Sequence, residues 1–353
     1  GEAQDLYELL GNLLDNAGKW AHSRVQLDVQ PDDGRLCFTV DDDGPGIPEA
    51  ERERMFNLPR SSWDDYDKSL ISAGGGVFPR SAKTIPLSPE ACKALGIADG
   101  TTQLTPAELM SAILKAPVDL LWNGGIGTYV KSEGETNADV GDRANNALRV
   151  NGRELRAKVV GEGGNLGFTQ RGRIEAALHG VLLNTDFIDN SAGVDTSDHE
   201  VNIKILCTLL EQQGKLTARD RMVEALTKDV EILVLQDNYL QNFILSVMER
   251  ESISSSYRYS QLTTLLKKES DLEEAGILPE DEELQRRRAL GKGFVRPELA
   301  ILLSYSKITL KRQLTETSLL QDSRFSAHLL SYFPSLLQAK FAEEILKHPL
   351  KET

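Results

Sequence analysis

The sequence predicts an α/β fold in which a partial, doubly wound parallel sheet is followed by an all-α C-terminal region and preceded by a small α+β fragment. Short apolar runs alternate with helical stretches between residues 117 and 184, an order typical of parallel βαβ units. From residue 197 onward the pattern is helical almost without interruption. The composition changes near residue 57, because the part before it holds thirteen acids and five bases, a net −8 of the total −14. We therefore expect three segments: 1–56, 57–204 and 205–353.

The N-terminal fragment is expected to contain one helix and a two-stranded ribbon. Two runs of alternating polarity, 25–29 and 36–40, predict strands around the turn residues 31–34. An isolated hairpin buries too little apolar surface to be stable alone, so we expect this fragment to pack loosely. Its helix is predicted from leucines at helical spacing: Leu6, Leu9, Leu10, Leu13 and Leu14.

The middle segment is expected to contain three parallel strands, near 117–122, 157–161 and 180–184. Each is a short apolar run followed by Gly or Asn. We expect a helical stretch between the first two strands and a helix at 169–179 between the second and third, which together make a Rossmann-like sheet. Ahead of them, residues 105–115 begin with Thr at the N-cap and Pro at the first helical position, and so predict another helix.

The C-terminal segment is expected to contain helices only. Within it, Pro297 suits the first position of a helix. The apolar stripe that follows is predicted to be buried, and consists of Leu299, Leu302, Leu303 and Ile308. The helices are expected at 217–250, 256–268, 295–313 and 326–347.

Charge, cysteine content and hydropathy exclude several classes of protein. A net charge of −14, from 40 basic and 54 acidic residues, disfavours a nucleic-acid partner. Three cysteines without metal-ligand spacing indicate neither a disulfide framework nor a metal site, which suits a reducing, cytoplasmic compartment. No apolar run reaches the roughly 18 residues of a spanning helix, so we expect no membrane partner. The sequence starts at Gly1 rather than Met, and we expect a fragment of a longer protein.

One face of the N-terminal helix carries polar residues suited to a metal-bound phosphate. Glu8, Asn12 and Asn16 recur every four residues and therefore share this face, and Lys19 lies just beyond it. Two amides, an acid and a lysine can bind a phosphate together with its cation. The alternative is an amphipathic helix with solvated amides.

The run DDDGPGIP (41–48) follows the second predicted strand of this fragment. Gly44 and Gly46 allow the backbone to approach a flat ligand, and Asp42 can accept a hydrogen bond from an exocyclic amine. Together with ELLGNLLDNAGKWA (8–21), the run resembles the ATP-binding domain of sensor histidine kinases. The resemblance implies magnesium and phosphate contacts for the two asparagines, a phosphate contact for the lysine and an adenine contact for the aspartate. The later glycine-rich box and the ATP lid do not follow, so ATP and Mg²⁺ binding are expected only of a complete domain.

Glycines and neutral amides follow each predicted strand of the middle segment. Ligands of open parallel sheets bind at the carboxyl ends of the strands, so this pattern predicts a crevice for a polar, carbonyl-bearing ligand. The residues are Asn123, Gly124 and Gly125 after the first strand, Gly163, Gly164 and Asn165 after the second, and Asn190, Gly193 and Ser197 after the third.

Four runs from this part of the chain resemble the large NAD-dependent glutamate dehydrogenases of bacteria. They are LPRSSWDDYDKSLIS (58–72), LWNGGIGTYVK (121–131), VVGEGGNLGFTQRGRIE (159–175) and DNSAGVDTSDHEVNIKI (189–205). The resemblance extends from about residue 51 to the C-terminus, and the preceding kinase-like part joins it near 51–57, by natural fusion or by artefact.

This resemblance implies roles for the residues at the strand ends. The two glycine runs and Asn123 contact NAD, Asn165 faces the nicotinamide ribose or carboxamide, and Asn190 faces the nicotinamide and the reacting carbon. Ser197 holds the distal carboxylate of the substrate. From the residues alone, Asn190 is alternatively a turn residue in the left-handed conformation, and Ser197 alternatively caps a helix that starts near Asp198.

Three other candidates have structural explanations that we favour. His199 lies near the same helix start and is expected to belong to the cap region rather than to catalysis. His179 ends a helix, where a cation complements the helix dipole. Arg171 and Arg173 are expected to be a solvated pair rather than an anion site.

The resemblance implies oxidative deamination of L-glutamate to 2-oxoglutarate and ammonium by a cytoplasmic homo-oligomer. The family's catalytic lysine and acid, and its pyrophosphate-binding glycines, belong upstream of the residues present here. We therefore expect weak NAD binding and negligible turnover by this chain alone. The alternatives are an ATP-binding signalling protein of the histidine-kinase type and a non-catalytic interaction scaffold.

Overall fold

A computed structural model describes much of the chain, and its contacts divide the chain into two units, Gly1–Arg80 and Ser81–Thr353. In the first unit, strands β1 (Val25–Asp32) and β2 (Arg35–Asp42) form an antiparallel ribbon in which Val25 pairs with Asp42. The predicted ribbon is confirmed. The described residues are 25–32, 35–42, 53–54, 57–58, 62–65, 67–98, 100–270, 272, 277–317 and 322–350.

The nucleotide-type residues predicted near the N-terminus lie outside the described residues, apart from the backbone of Asp42 at the end of β2. They are Glu8, Asn12, Asn16, Lys19, Gly44 and Gly46, together with the predicted N-terminal helix.

The second unit contains a three-stranded parallel sheet in the order β5 (Leu120–Asn123), β8 (Val159–Glu162) and β9 (Leu182–Leu183). In its register, Leu120 pairs with Val159 and Val160 pairs with Leu183. The three strands predicted from apolar runs are thereby confirmed, and so is their parallel direction.

Two smaller pairs of strands accompany this sheet. β3 (Ile85–Pro86) and β4 (Gln103–Leu104) are antiparallel, whereas β6 (Val130–Lys131) and β7 (Val150–Asn151) are parallel. The β6–β7 pair and the four-residue helix α3 occupy the connection between β5 and β8. The helical stretch expected there is reduced to this helix and two 3-10 turns, because Gly and Asn residues divide the segment.

Five short α-helices lie among the described residues between 89 and 189. Thr105 caps the second with a capping box to Glu108, as the sequence predicts, and Thr169 caps the fourth by accepting a hydrogen bond from the Gly172 amide. The helices are α1 (Pro89–Leu95), α2 (Pro106–Leu114), α3 (Asn137–Val140), α4 (Gln170–Leu178) and α5 (Asp186–Asp189).

From residue 197 onward the described part of the chain contains helices and no strand, as predicted, although the helix expected at 326–347 is divided into two at Pro334. None of the described helices is both long enough and apolar enough to cross a membrane. The helices are α6 (Ser191–Gln212), α7 (Arg219–Arg250), α8 (Ser256–Glu269), α9 (Asp281–Ala289), α10 (Arg296–Thr315), α11 (Ser326–Tyr332) and α12 (Ser335–Ile345).

Two expectations about these helices are wrong. α6 begins at Ser191 rather than near Asp198, so Ser197 lies inside the helix and does not cap it. In α10, Leu299 and Leu302 are fully buried, but Ile308 is 58% exposed. At about 100° per residue, Ile308 points away from the face that carries Leu299.

Three apolar clusters form the core of the second unit. One lies beneath the parallel sheet and includes Val160, Phe168 and Leu183. The other two lie among the C-terminal helices, around Leu299 of α10 and Leu206 of α6. The Gln170 amide of α4 donates a hydrogen bond to the Pro297 carbonyl of α10 at 3.1 Å, and so links the sheet region to the helices.

A close backbone contact of α4 gives the first prediction. A Cβ on Gly152 would lie 2.4 Å from the Gly172 carbonyl oxygen, whereas a Cβ on Gly134 would meet nothing closer than 4.0 Å. Overpacking against backbone typically costs 1–3 kcal/mol. We expect Gly152→Ala to lower the free energy of unfolding by about 2 kcal/mol in urea titrations, and Gly134→Ala to change it by less than about 0.5 kcal/mol. Equal effects of the two substitutions would contradict this account.

Candidate functional site

The ends of β5 and β8 lie side by side and bring the two predicted glycine runs into contact. Asn123 pairs with Glu162 in the parallel register, and the Gly164 amide donates a hydrogen bond to the Asn123 carbonyl at 3.0 Å. A Cβ on Gly164 would lie 2.4 Å from the Gly125 carbonyl oxygen. Only glycine allows the two loops to approach this closely.

Glycines also make room for an indole ring at this edge. A Cβ on Gly161 or Gly163 would lie 2.6 or 2.5 Å from ring atoms of Trp122. The ring therefore lies against the backbone of β8, and it is exposed on its other side. An aromatic surface next to two glycine loops suits contact with a planar ligand.

Asn165 and Asn190, which come from separate strand ends, meet directly. The Nδ2 of Asn190 donates a hydrogen bond to the Oδ1 of Asn165 at 2.9 Å. Asn190 lies between α5 and α6 with φ −101° and ψ 13°, so the alternative of a left-handed turn is wrong. The strand-end rule thus correctly predicts that these two amides converge.

These two asparagines line a cavity of 670 Å³ between the sheet edge, α6 and α7. Its charged lining residues are Asp195, Asp198, Asp237 and Lys307, none of which the sequence singled out as a ligand. Ser197 is exposed on α6 and is not part of the lining. The wall also contains Phe187, Ser191, Val194, Asn238, Leu240, Gln241 and Ile244.

Asn123 and Gly125 face a second, smaller cavity of 270 Å³, which also contacts Tyr129 and Phe168. The side-chain Nδ2 of Asn123 is buried there without a hydrogen-bond partner. An unpaired buried amide costs free energy unless a ligand or water satisfies it. Of the predicted cofactor residues, Asn165 and Asn190 therefore line one cavity and Asn123 and Gly125 line the other, whereas the remaining three glycines line neither.

A buried guanidinium fixes the end of β8. Arg173 of α4 donates two hydrogen bonds to Glu162, at 2.6 and 2.9 Å, and lies 3.1 Å from Asp186 of α5. The side chains of Arg173 and Glu162 are 4% and 1% exposed. Burial raises the pKa of Glu162, and the hydrogen bonds from Arg173 oppose that rise. The expectation of a solvated arginine pair is therefore wrong for Arg173, although Arg171 is exposed.

The acids of α5 hold the loop that carries Asn165. Asp186 accepts a hydrogen bond from the Leu166 amide at 2.8 Å, and Asp189 accepts one from the Glu162 amide at 2.9 Å. Leu166 has φ +58°, a conformation that costs a non-glycine residue about 1 kcal/mol and needs such support. The position of Asn165 thus depends on contacts with α5.

His199 occupies a different environment from the one expected. It lies within α6 rather than at a helix start, it is 2% exposed, and neither ring nitrogen has a hydrogen-bond partner. Its ring stacks on Tyr332 with centroids 4.6 Å apart. His179 follows the last residue of α4 as its C-cap, in agreement with the prediction.

The chain is similar to known proteins over most of its length. The sequence-family model of the bacterial NAD-glutamate dehydrogenase catalytic domain matches residues 19–248, and the family model of the glutamate dehydrogenase C-terminal region matches residues 291–353. The chain is 53% identical over 346 residues to the NAD-specific glutamate dehydrogenase of Pseudomonas aeruginosa, covering 97% of this chain and 20% of the relative. It is 45% identical over 337 residues to that of Mycobacterium tuberculosis, covering 94% and 20%.

The chain belongs to the bacterial NAD-glutamate dehydrogenase family, and it spans about a fifth of the length of the curated relatives it matches. A short N-terminal part is also similar to sensor kinases. Sensor protein kinase CarS of Pseudomonas aeruginosa is 54% identical over 76 residues, which cover 22% of this chain and 17% of that protein. Sensor protein PhoQ of Escherichia coli is 44% identical over 57 residues, which cover 16% and 12%. Both predicted resemblances are confirmed.

The buried guanidinium gives the second prediction. Arg173→Met leaves Glu162 and Asp186 without their cation, and loss of one partner of a buried ion pair typically costs 3–5 kcal/mol. We expect the free energy of unfolding to fall by about 3 kcal/mol or more, measured by urea titration.

Arg153→Met is the matched control, because Arg153 pairs with Glu133 on the surface, where both side chains are about half exposed. An exposed pair contributes about 0–1 kcal/mol. A loss for Arg173→Met as small as that for Arg153→Met would show that the buried network does not stabilise the fold.

Proposed function

We propose that this chain forms part of an NAD-dependent glutamate dehydrogenase that oxidises L-glutamate to 2-oxoglutarate and ammonium. The observation that carries the proposal is the Asn165–Asn190 hydrogen bond beside two interlocked glycine loops, at the carboxyl edge of a parallel sheet. Ligands of such sheets bind at this edge. Family membership supports the same reaction, and for the whole protein we infer a cytoplasmic homo-oligomer.

The sheet is, in this proposal, part of a larger Rossmann-like domain that spans residues 57–204, with 205–353 as a helical region. All-parallel sheets are covered on both faces. On one face of this sheet, Leu120, Trp122 and Leu182 are 55%, 60% and 62% exposed to solvent. Apolar side chains exposed in alternation along adjacent strands support the view that further parts of the protein pack on this face.

NAD is the proposed cofactor, and it supplies a carbon that accepts hydride from the substrate. The buried, unpaired Nδ2 of Asn123 suits a ligand that offers a hydrogen-bond acceptor. The proposed contact residues are Asn123, Gly124, Gly125, Gly163, Gly164, Asn165 and Asn190.

Ser197 is the proposed contact for the distal carboxylate of glutamate. It lies seven positions after Asn190, about two turns along α6 on a similar face of the helix. Its exposed hydroxyl is available to a ligand or to another part of the protein. Asn190 is proposed to contact the nicotinamide and the reacting carbon of the substrate whose distal carboxylate Ser197 holds.

The third prediction concerns activity. We expect the chain alone to bind NAD weakly and to form no NADH from glutamate, because hydride transfer also needs a catalytic lysine and acid. Joined to the upstream region of the Pseudomonas aeruginosa relative, it should form NADH, measured by absorbance. Asn190→Ala should then lower kcat/KM about 10-fold or more, the factor that a hydrogen bond of about 1.4 kcal/mol supplies.

Asn146→Ala serves as the control, because Asn146 is exposed and lies outside both cavity linings. Wild-type rates for Asn190→Ala would remove the proposed role of that residue. Steady NADH formation by the chain alone would overturn the expectation that upstream residues complete the site.

A further inference from the structure

Three potential metal ligands converge on the helical side of the large cavity. Asp195 and His199 lie on consecutive turns of α6, and Asp237 comes from α7. One donor atom from each of the three lies within 4.8 Å of the donors from the other two. Asp195 and Asp237 also line the cavity that contains Asn165 and Asn190.

His199 is the reason that this cluster differs from ordinary surface acids. Its ring is 2% exposed, both of its nitrogens lack hydrogen-bond partners, and the Oδ2 of Asp195 is likewise buried and unpaired. The Nε2 of His199 lies 3.8 Å from the Oδ1 of Asp195, which is too far for a hydrogen bond. Buried polar atoms that face one another unpaired cost free energy, and a shared cation would satisfy them.

The local charge also favours a cation. Three acids, Asp195, Asp198 and Asp237, line the cavity with the single cation Lys307. Lys307 donates a hydrogen bond to Gln241 at 2.8 Å and forms no ion pair with any of these three described acids.

We propose that Asp195, His199 and Asp237 form a binding site for one divalent transition-metal ion of the zinc class. One imidazole nitrogen and two carboxylate oxygens suit Zn²⁺, Co²⁺ or Mn²⁺, whereas Mg²⁺ and Ca²⁺ select oxygen ligands. Zinc bonds of about 2.1 Å place tetrahedral ligand atoms about 3.4 Å apart. Side-chain rotations that move these donor atoms by about 1 Å shorten their separations to that distance.

Neighbouring residues hold the imidazole in position. Tyr332 stacks on it at an interplanar angle of 19°, and the Tyr332 hydroxyl accepts a hydrogen bond from Asn202 at 3.0 Å. The exposed side chain of Asp237 gives an ion access from solvent. Three protein ligands leave a coordination position open towards the cavity, where a water or a carboxylate ligand can bind.

The site is tested on the whole chain by calorimetric titration with Zn²⁺ and by visible absorbance with Co²⁺. We expect one saturable equivalent per chain, with a cobalt spectrum that lacks strong thiolate bands. Asp237→Asn removes an exposed ligand without disturbing the core and should weaken zinc binding at least 10-fold. His199→Gln should do the same.

Asp220→Asn is the matched control, because it makes the same change on α7 at seventeen residues from Asp237, about 25 Å along the helix. It should leave the affinity unchanged. The proposal is overturned if Asp237→Asn binds zinc like the wild type, if no saturable equivalent is found, or if Ca²⁺ binds as tightly as Zn²⁺. If His199→Gln does not fold, Asp237→Asn decides the matter alone. None of these outcomes depends on dehydrogenase activity.

Discussion

The buried bond between Arg173 and Glu162 is the interaction on which the arrangement of the sheet edge depends. A guanidinium that is 4% exposed has lost its hydration, and it recovers that free energy only when Glu162 and Asp186 occupy fixed positions. One side chain therefore determines how α4, the end of β8 and α5 lie relative to one another. The loop that carries Asn165 inherits its geometry from these three elements.

Local sequence features predict the parts of the fold that are determined locally. Thr105 and Thr169 identify helix starts because a hydroxyl before the first turn satisfies free amide groups. The start of α6 cannot be found in this way. The segment that begins at Asn190 has the composition of a turn, yet it is helical, and its Ser191 hydroxyl hydrogen-bonds to the Ile188 carbonyl and to Asn238 of α7. That second contact joins residues far apart in sequence.

The candidate site shows the same division between local and distant information. The meeting of Asn165 and Asn190 follows from a topological rule, because carboxyl ends of parallel strands share one edge. The surroundings of His199 follow from no such rule. Asp195, four residues away, is visible in the sequence as a possible partner, whereas Asp237 and Tyr332 reach the imidazole only through the packing of α7 and α11 against α6. The burial of Arg173 was not predicted for a similar reason, since its partner Glu162 lies at the end of β8, eleven residues away.

The uncovered face of the parallel sheet has a practical consequence for anyone handling this chain in isolation. In the part of the chain that the structure describes, β5 and β9 are the outer strands of this sheet, and edge strands beside exposed apolar side chains promote self-association. Solution behaviour should then depend on protein concentration, and low concentration or a mild detergent would favour the monomer. At low ionic strength, the net charge of −14 opposes self-association by electrostatic repulsion. Added salt screens this repulsion, so self-association would begin at a lower protein concentration.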